Sequence, residues 1–449
     1  MENMSKFVDR PRYGCALAGA LALLRAIPRT IPIIHSSTGC GFNCYNGTNS
    51  GSGYLGGGYC GGSATPSSNV VERHVVFGGE DRLREQIRST LEVMDGDLYV
   101  VVTGCMVEMI GDDVQSVAGE FKDEGKPIIA VNTPSFQGNS YYGYELLFSA
   151  LAREVVKKAE KKNPKKVNVL GLVPGEDVFY KGNLREIKRV LSLLGLEVNT
   201  FVGEKETLDD FKNAGDAALN IVLSDIHGVK TAQEFERVHK IPYITTGLPI
   251  GYFQTAEFLR QVAQQMDVPA ETVEVVLEQE QGVYFDYFER IADIYNDIDL
   301  QRYVVVVADS NYAPALSRFS ADELGWLPEI TVVTDFLEEH HKAAIEKRFD
   351  GWESGIRPTV KFDTDAASVR RYMNEVWQKD RNTRYFDAFG PGYILGSVIE
   401  KDLADEFQFS FLPVAFPVTN RVIFNRGYAG IRGGLTLAED ILGVLVAGR

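Results

Sequence analysis

Five cysteines, Cys15, Cys40, Cys44, Cys60 and Cys105, all stand in the first quarter of a 449-residue chain, and none follows. Cysteines serving only as small core residues would be scattered, so the skew marks a region with chemistry of its own. Three of them share one local design. Cys15 lies in Tyr13-Gly14-Cys15-Ala16, Cys40 in His35-Ser36-Ser37-Thr38-Gly39-Cys40, and Cys105 in Thr103-Gly104-Cys105-Met106. An apolar element, then Gly-Cys, then a helix start or tight turn sets a sulfur among free N–H groups, which favours thiolate over thiol. Thiolates in dry surroundings with N–H donors are what an iron–sulfur cluster needs. Two other readings stay open at this level. Each cysteine could be a buried small residue, or the set could bind zinc, although the paired short spacings are missing apart from Cys40-x3-Cys44. Three cysteines are one short of the four that hold a single cluster, so the missing ligands would come from a partner chain at a shared interface.

The elements that would position these sulfurs follow from the apolar runs. Residues 98–102 and 128–131 break at Thr103-Gly104 and Asn132-Thr133-Pro134, and alternate with helical spacing, which marks buried parallel strands. A lysine-rich segment at 157–166 reads as a linker. The pattern restarts with strands at 167–172, 218–223 and 242–245. Between them runs a helix from Asn183, in which Leu184, Ile187, Leu191 and Leu194 recur before Gly195. A third round begins near residue 301, with strands at 303–307, 330–333 and 411–416 and a closing helix at 433–446. The sequence thus predicts an α/β chain of three Rossmann-like domains with open, mainly parallel sheets: 1–165 carrying the cysteines, then 166–300 and 301–449. Functional groups in such sheets gather beyond the carboxyl ends of the strands, where Cys105 falls.

A formal charge of −16 argues against nucleic-acid and anionic-membrane partners. The apolar stretch 15–24 is shorter than the roughly 20 residues that span a bilayer and shows no cleavage site, so a cytoplasmic protein with reduced thiols is expected. Gly51-Ser52-Gly53-Tyr54-Leu55-Gly56 satisfies G-x-G-x-x-G. It has no strand before it and no helix after it, so a turned or flexible loop over 47–62 is predicted instead of a dinucleotide site. Cys44 and Cys60 rank below the other three as ligand candidates. No Walker A sequence occurs, so ATP hydrolysis by this chain is not expected.

At these residues the chain resembles the β-type subunit of the nitrogenase component 1 family. Cys15 and Cys40 stand 25 positions apart (40 − 15), as in the molybdenum enzymes, and Cys105 to Asp113 matches a Thr-Cys-x-x-Glu-x-Ile-Gly-Asp-Asp motif with Gly104 in place of the threonine. Val76-Phe77-Gly78-Gly79, Thr133-Pro134-Ser135-Phe136-Gln137-Gly138, Val173-Pro174-Gly175 and Gly427-Tyr428-x-Gly430 match further family segments. The resemblance implies that Cys15, Cys40 and Cys105, with Ser135 as a conditional further ligand, hold half of a P-cluster-like eight-iron, seven-sulfur cluster shared with an α-type subunit. It also implies an α2β2 assembly whose catalytic cofactor sits in the α-type chain, and an ATP-hydrolysing iron protein that delivers the electrons. The absence of any cysteine after Cys105 excludes the α-type role. His227, His239, His340 and His341 read as core or surface histidines, with the neighbouring His340 and His341 expected to point apart on a helix.

Departures narrow the resemblance. Cys15-Ala16-Leu17-Ala18-Gly19-Ala20 and His35-Ser36-Ser37-Thr38-Gly39-Cys40 replace signatures common to nitrogenases, and the Cys40-to-Cys105 interval of 65 (105 − 40) is lengthened by the glycine-rich stretch. They imply a nitrogenase-like reductase, with the methylthio-alkane reductases, which cleave C–S bonds of methyl thioethers, as the best-fitting branch. The β subunit of a true alternative nitrogenase and a cofactor-assembly scaffold subunit are the other readings within the family.

Overall fold

The computed structural model describes residues 8–51, 53, 65–297, 301–377 and 391–447. Its strands form three sheets, and every pairing is parallel. The first contains β1 (Thr30–His35), β2 (Leu98–Thr103) and β3 (Ile128–Val131) in that order. The second runs β5-β4-β6-β7, from β4 (Asn163–Leu170), β5 (Glu197–Asn199), β6 (Ala217–Val222) and β7 (Tyr243–Thr245). The third runs β10-β9-β8-β11-β12, from β8 (Tyr303–Ala308), β9 (Leu327–Val333), β10 (Thr359–Phe362), β11 (Gly392–Gly396) and β12 (Ser410–Pro413). The second and third reverse strand order at their middles, the doubly wound arrangement expected of open α/β sheets.

β2 and β3 are buried at every position, which is why they read as continuous apolar runs and not as alternating ones. The lysine-rich segment is only partly a connector, because β4 already begins at Asn163. Lys162 is drawn inward there, donating to the carbonyls of Gly215 and His239 at 2.6 and 2.8 Å. The closing helix Gly430–Ala447 leaves the third sheet and packs on the helices Tyr180–Leu193 and Gly251–Gln265, which follow strands of the second.

The cysteine region is organised by two helices in unusually close contact, α1 (Ala16–Ala26) and α7 (Ser140–Glu154). Side-chain-free positions on both make this possible. A Cβ on Gly19 would lie 1.8 Å from the Ser140 carbonyl oxygen, and one on Gly143 would lie 1.8 Å from that of Ala16. The small residues after Cys15 are therefore a packing requirement that fixes where α1 begins. Between the two run α2 (Thr38–Gly51), α3 (Glu72–Phe77), α4 (Glu80–Val93), α5 (Cys105–Ile110) and α6 (Val114–Asp123). The start of the predicted glycine-rich loop is helical, since α2 continues to Gly51, and this also denies the G-x-G-x-x-G its preceding strand. Cys60 and residues 54–62 of that stretch lie outside the described residues.

Candidate metal-cluster site

The three sulfurs sit at the amino ends of three helices. Cys15 is the N-cap of α1, Cys40 lies in the first turn of α2, and Cys105 is the first residue of α5. Their placement follows from the first sheet. β1 and β2 pair in register to their last residues, His35 opposite Thr103, so Cys40 and Cys105 emerge beyond adjacent carboxyl ends. The Gly104 amide donates to the His35 carbonyl at 3.0 Å and continues the ladder one step further. A Cβ on Gly104 would fall 2.1 Å from the Ser36 hydroxyl oxygen and 3.8 Å from the Cys40 sulfur. The bare glycine thus leaves room for Ser36, whose hydroxyl donates to Cys40 Sγ at 3.3 Å.

The third contribution comes from the turn after β3. Thr133 is locked to Thr103, its amide donating to Oγ1 at 2.8 Å and its hydroxyl donating to the carbonyl at 2.5 Å. Asn132 donates to Glu108 at 2.8 Å, and Glu108 also holds Thr103 Oγ1, so the glutamate of the Cys105 motif ties α5 to this turn. Two residues on stands Ser135, in the segment that leads to Asn139. Cys15 itself is fastened through a backbone bridge to Asn139.

Cys15 Sγ lies 3.7 Å from Cys44 Sγ. Cys44 lies one helical turn beyond Cys40 and is buried, whereas Cys15 is exposed and Cys40 and Cys105 are half-buried. The hydrogen bond from Cys44 brings the Cys15 thiol down to about 5, helped by Ser135 and the amides of Ala18 and Leu17 and opposed by burial. The same contact, together with burial, drives Cys44 far upward.

A network behind the sulfurs joins residues that carried the sequence motifs. His35 accepts or donates at both ring nitrogens, Nδ1 to Ser68 Oγ at 2.8 Å and Nε2 to Asp112 Oδ2 at 3.0 Å. Asp112 also accepts the Gly79 amide at 3.0 Å. Burial lowers the His35 pKa, and Asp112 only partly offsets this. His35, Gly79 and Asp112 come from three motifs far apart in the chain, and they meet to brace the starts of α2, α4 and α6.

The other histidines are placed as follows. His239 Nε2–H donates to the Ala152 carbonyl at 2.7 Å, and the residue is buried. His227 is buried, stacks on Tyr141 with centroids 3.9 Å apart, and pairs with Asp335 at 3.0 Å. Burial depresses its pKa, but Asp335 outweighs this and raises it. His340 and His341 do not point apart. Their ring centroids are 3.9 Å apart, both residues lying in the first turn of the short helix Glu339–Glu346. With His227 they line a cleft of about 1010 Å³ that also reaches Ser135.

Among the described residues no three Cys, His, Asp or Glu side chains close around a single metal ion. The donor set fits a cluster better than one ion: soft sulfurs at helix amino ends, spread over adjacent strand ends, with hydroxyl and amide donors to the sulfur. No helix among the described residues is long and apolar enough to cross a membrane.

The sequence singled out Cys15, Cys40 and Cys105, and the resemblance added Ser135; the structure sets the three cysteines at helix amino ends and Ser135 in the turn after β3. The sequence ranked Cys44 below these; the i, i+4 spacing from Cys40 was the signal that both share one face of a helix, and the structure sets the Cys44 sulfur beside that of Cys15. Comparison with known proteins shows the family and the fold. The model of nitrogenase component 1 type oxidoreductases matches residues 15–446. The chain is 25% identical to the nitrogenase molybdenum-iron protein beta chain of Clostridium pasteurianum, over 97% of this chain and 93% of that one. It is 24% identical to the nitrogenase iron-iron protein beta chain of Rhodobacter capsulatus, over 85% and 83% respectively. A solved structure titled "Nitrogenase Cp1 at pH 6.5" superposes with a TM-score of 0.78 at 22% identity, over 100% of this chain and 95% of that one, which supports the fold.

Proposed function

The chain belongs to the nitrogenase component 1 type oxidoreductase family, and from that premise we propose that it is a β-type reductase subunit holding half of a P-cluster-like cluster. Cys15, Cys40 and Cys105 would be its ligands, with Ser135 a further oxygen ligand. The observation that carries this reading is the placement of three cysteines at helix amino ends, Cys40 and Cys105 beyond adjacent strand ends and Cys15 bridged to Asn139 in the segment that follows Ser135. When bound, such a cluster supplies a one-electron relay.

The chain's own residues have three tasks in that relay. The Ser36 hydroxyl donates to the Cys40 sulfur, and the free amides at the start of α1 favour the anionic form of the Cys15 sulfur. The paired glycines of α1 and α7 hold Cys15 in place. Exposed apolar side chains stand on the elements that carry the sulfurs: Phe42 on α2 is 66% exposed, Met109 on α5 79%, and Phe136 beside Ser135 60%. Such a patch favours burial against another chain, here an α-type partner that completes the cluster and carries the catalytic cofactor, in an α2β2 assembly. An ATP-hydrolysing iron protein would supply the electrons.

The departures around Cys15, Cys40 and Gly104 favour a nitrogenase-like reductase, with reductive C–S cleavage of methyl thioethers in the partner, over reduction of dinitrogen. Iron content and electron paramagnetic resonance of the anaerobically purified complex test the relay. Iron is expected in the wild type and its loss, with loss of electron transfer, in Cys105→Ala. A fully active, iron-free complex refutes the reading. Assaying the same complex with methyl thioethers and with dinitrogen decides the substrate.

A further inference from the structure

The geometry points to Cys44 as a fourth sulfur ligand from this chain, binding the same iron as Cys15. This inference rests on the cluster reading above and adds a position to it. Two thiolates about 2.3 Å from one tetrahedral metal lie about 3.8 Å apart, the edge of the tetrahedron. The Cys15 and Cys44 sulfurs are 3.7 Å apart. A disulfide would need them at about 2.0 Å, so this spacing suits a bridging metal without movement of either chain segment.

The surroundings agree with the distance. Cys44 follows Cys40 by one turn of α2, and so faces the same side as a residue already assigned to the site. Cys15 is exposed and Cys44 buried beneath it, so an iron held by both sits at the chain's surface, where a partner can complete its surroundings. The two remaining positions on that iron belong to cluster sulfides, the same two-cysteine, two-sulfide environment that each iron has in a two-iron cluster. Binding through both sulfurs changes no oxidation state: each cysteine binds as a thiolate, and any thiol proton leaves to solvent. An additional thiolate also adds negative charge to the cluster, which shifts its potential downward.

The test uses the anaerobically purified complex enriched in 57Fe, with Cys44→Ser and Cys44→Val beside the wild type and Cys105→Ala. Circular dichroism establishes that each variant is folded, and serine and valine between them preserve either a hydrogen-bonding group or the apolar volume. Mössbauer spectra and iron loss to a ferrous chelator are the readouts, independent of turnover. Both Cys44 variants are expected to change the signature of about one iron site in the cluster and to lose iron on the order of tenfold faster. Wild-type spectra and wild-type iron retention in a folded Cys44 variant overturn the assignment. If those variants match the wild type while Cys105→Ala loses its iron, only the Cys44 assignment fails. An iron-free wild type defeats the cluster reading and this inference together.

Discussion

Replacing Gly143 by alanine adds one methyl group, and the structure says where it goes. That methyl would sit 1.8 Å from the carbonyl oxygen of Ala16, in the first turn of α1. Non-bonded heavy atoms settle about 3.5 Å apart, so α1 and α7 must separate by roughly 1.7 Å at their closest point. The obstacle is backbone and cannot rotate away. The penalty therefore belongs at the upper end of the overpacking range, about 3 kcal/mol. The separation also acts on Cys15, the residue immediately before Ala16, which is held to the start of α7 by the Asn139 bridge and by the Ser140 amide bonded to the Gly14 carbonyl at 2.9 Å. Urea denaturation gives the stability change and iron analysis of the purified complex gives the functional one. Gly119→Ala is the control, because it lies in α6 with nothing within 4 Å of the new methyl and should gain about 0.5–1 kcal/mol from helix propensity. If Gly143→Ala is as stable as Gly119→Ala and keeps its iron, the close helix contact is not what positions Cys15.

Other perturbations probe the frame around the site. Arg12 and Glu400 form a buried pair, with Arg12 Nη1 3.1 Å from Oε2 and 2.8 Å from Ser397 Oγ. Arg12→Met should cost about 3–5 kcal/mol in urea denaturation, and Arg12→Met with Glu400→Leu should recover most of it, because the penalty is the stranded carboxylate. Asp112→Asn, which weakens the link between His35 and the Gly79 amide, should cost about 1.5–3 kcal/mol and speed iron loss from the complex. Burial pushes the Asp177 carboxyl up to about 7, despite hydrogen bonds from Tyr312, Phe179 and Asn183. Between roughly pH 4 and 7 the folded chain then keeps a proton that the unfolded chain has released, so stability declines as pH rises through that window. Asp177→Asn should flatten the decline by up to about 1.4 kcal/mol per pH unit, read from denaturation at several pH values.

The sequence alone determined the parts of this protein whose signal is local. The apolar runs at 98–102 and 128–131 became β2 and β3 because fully buried strands have no alternation to obscure them. Gly-Cys at a strand or helix boundary announced Cys15, Cys40 and Cys105, since the backbone at such a boundary offers its amides whatever packs around it. Three strands escaped. Residues 359–362 and 197–199 form short edge strands, and Gly392–Gly396 carries glycine at both ends, so each had too little apolar pattern to stand out. Tertiary structure decided the rest. Only folding sets His35, Gly79 and Asp112 against each other, or draws His340 and His341 into contact, because those distances depend on how distant segments cross. The same holds for the cysteines. Their number and segregation were legible from the start, but that Cys44 lies 3.7 Å from Cys15, while Cys40 looks toward Gly104, is set by the crossing of α1, α2 and the first sheet.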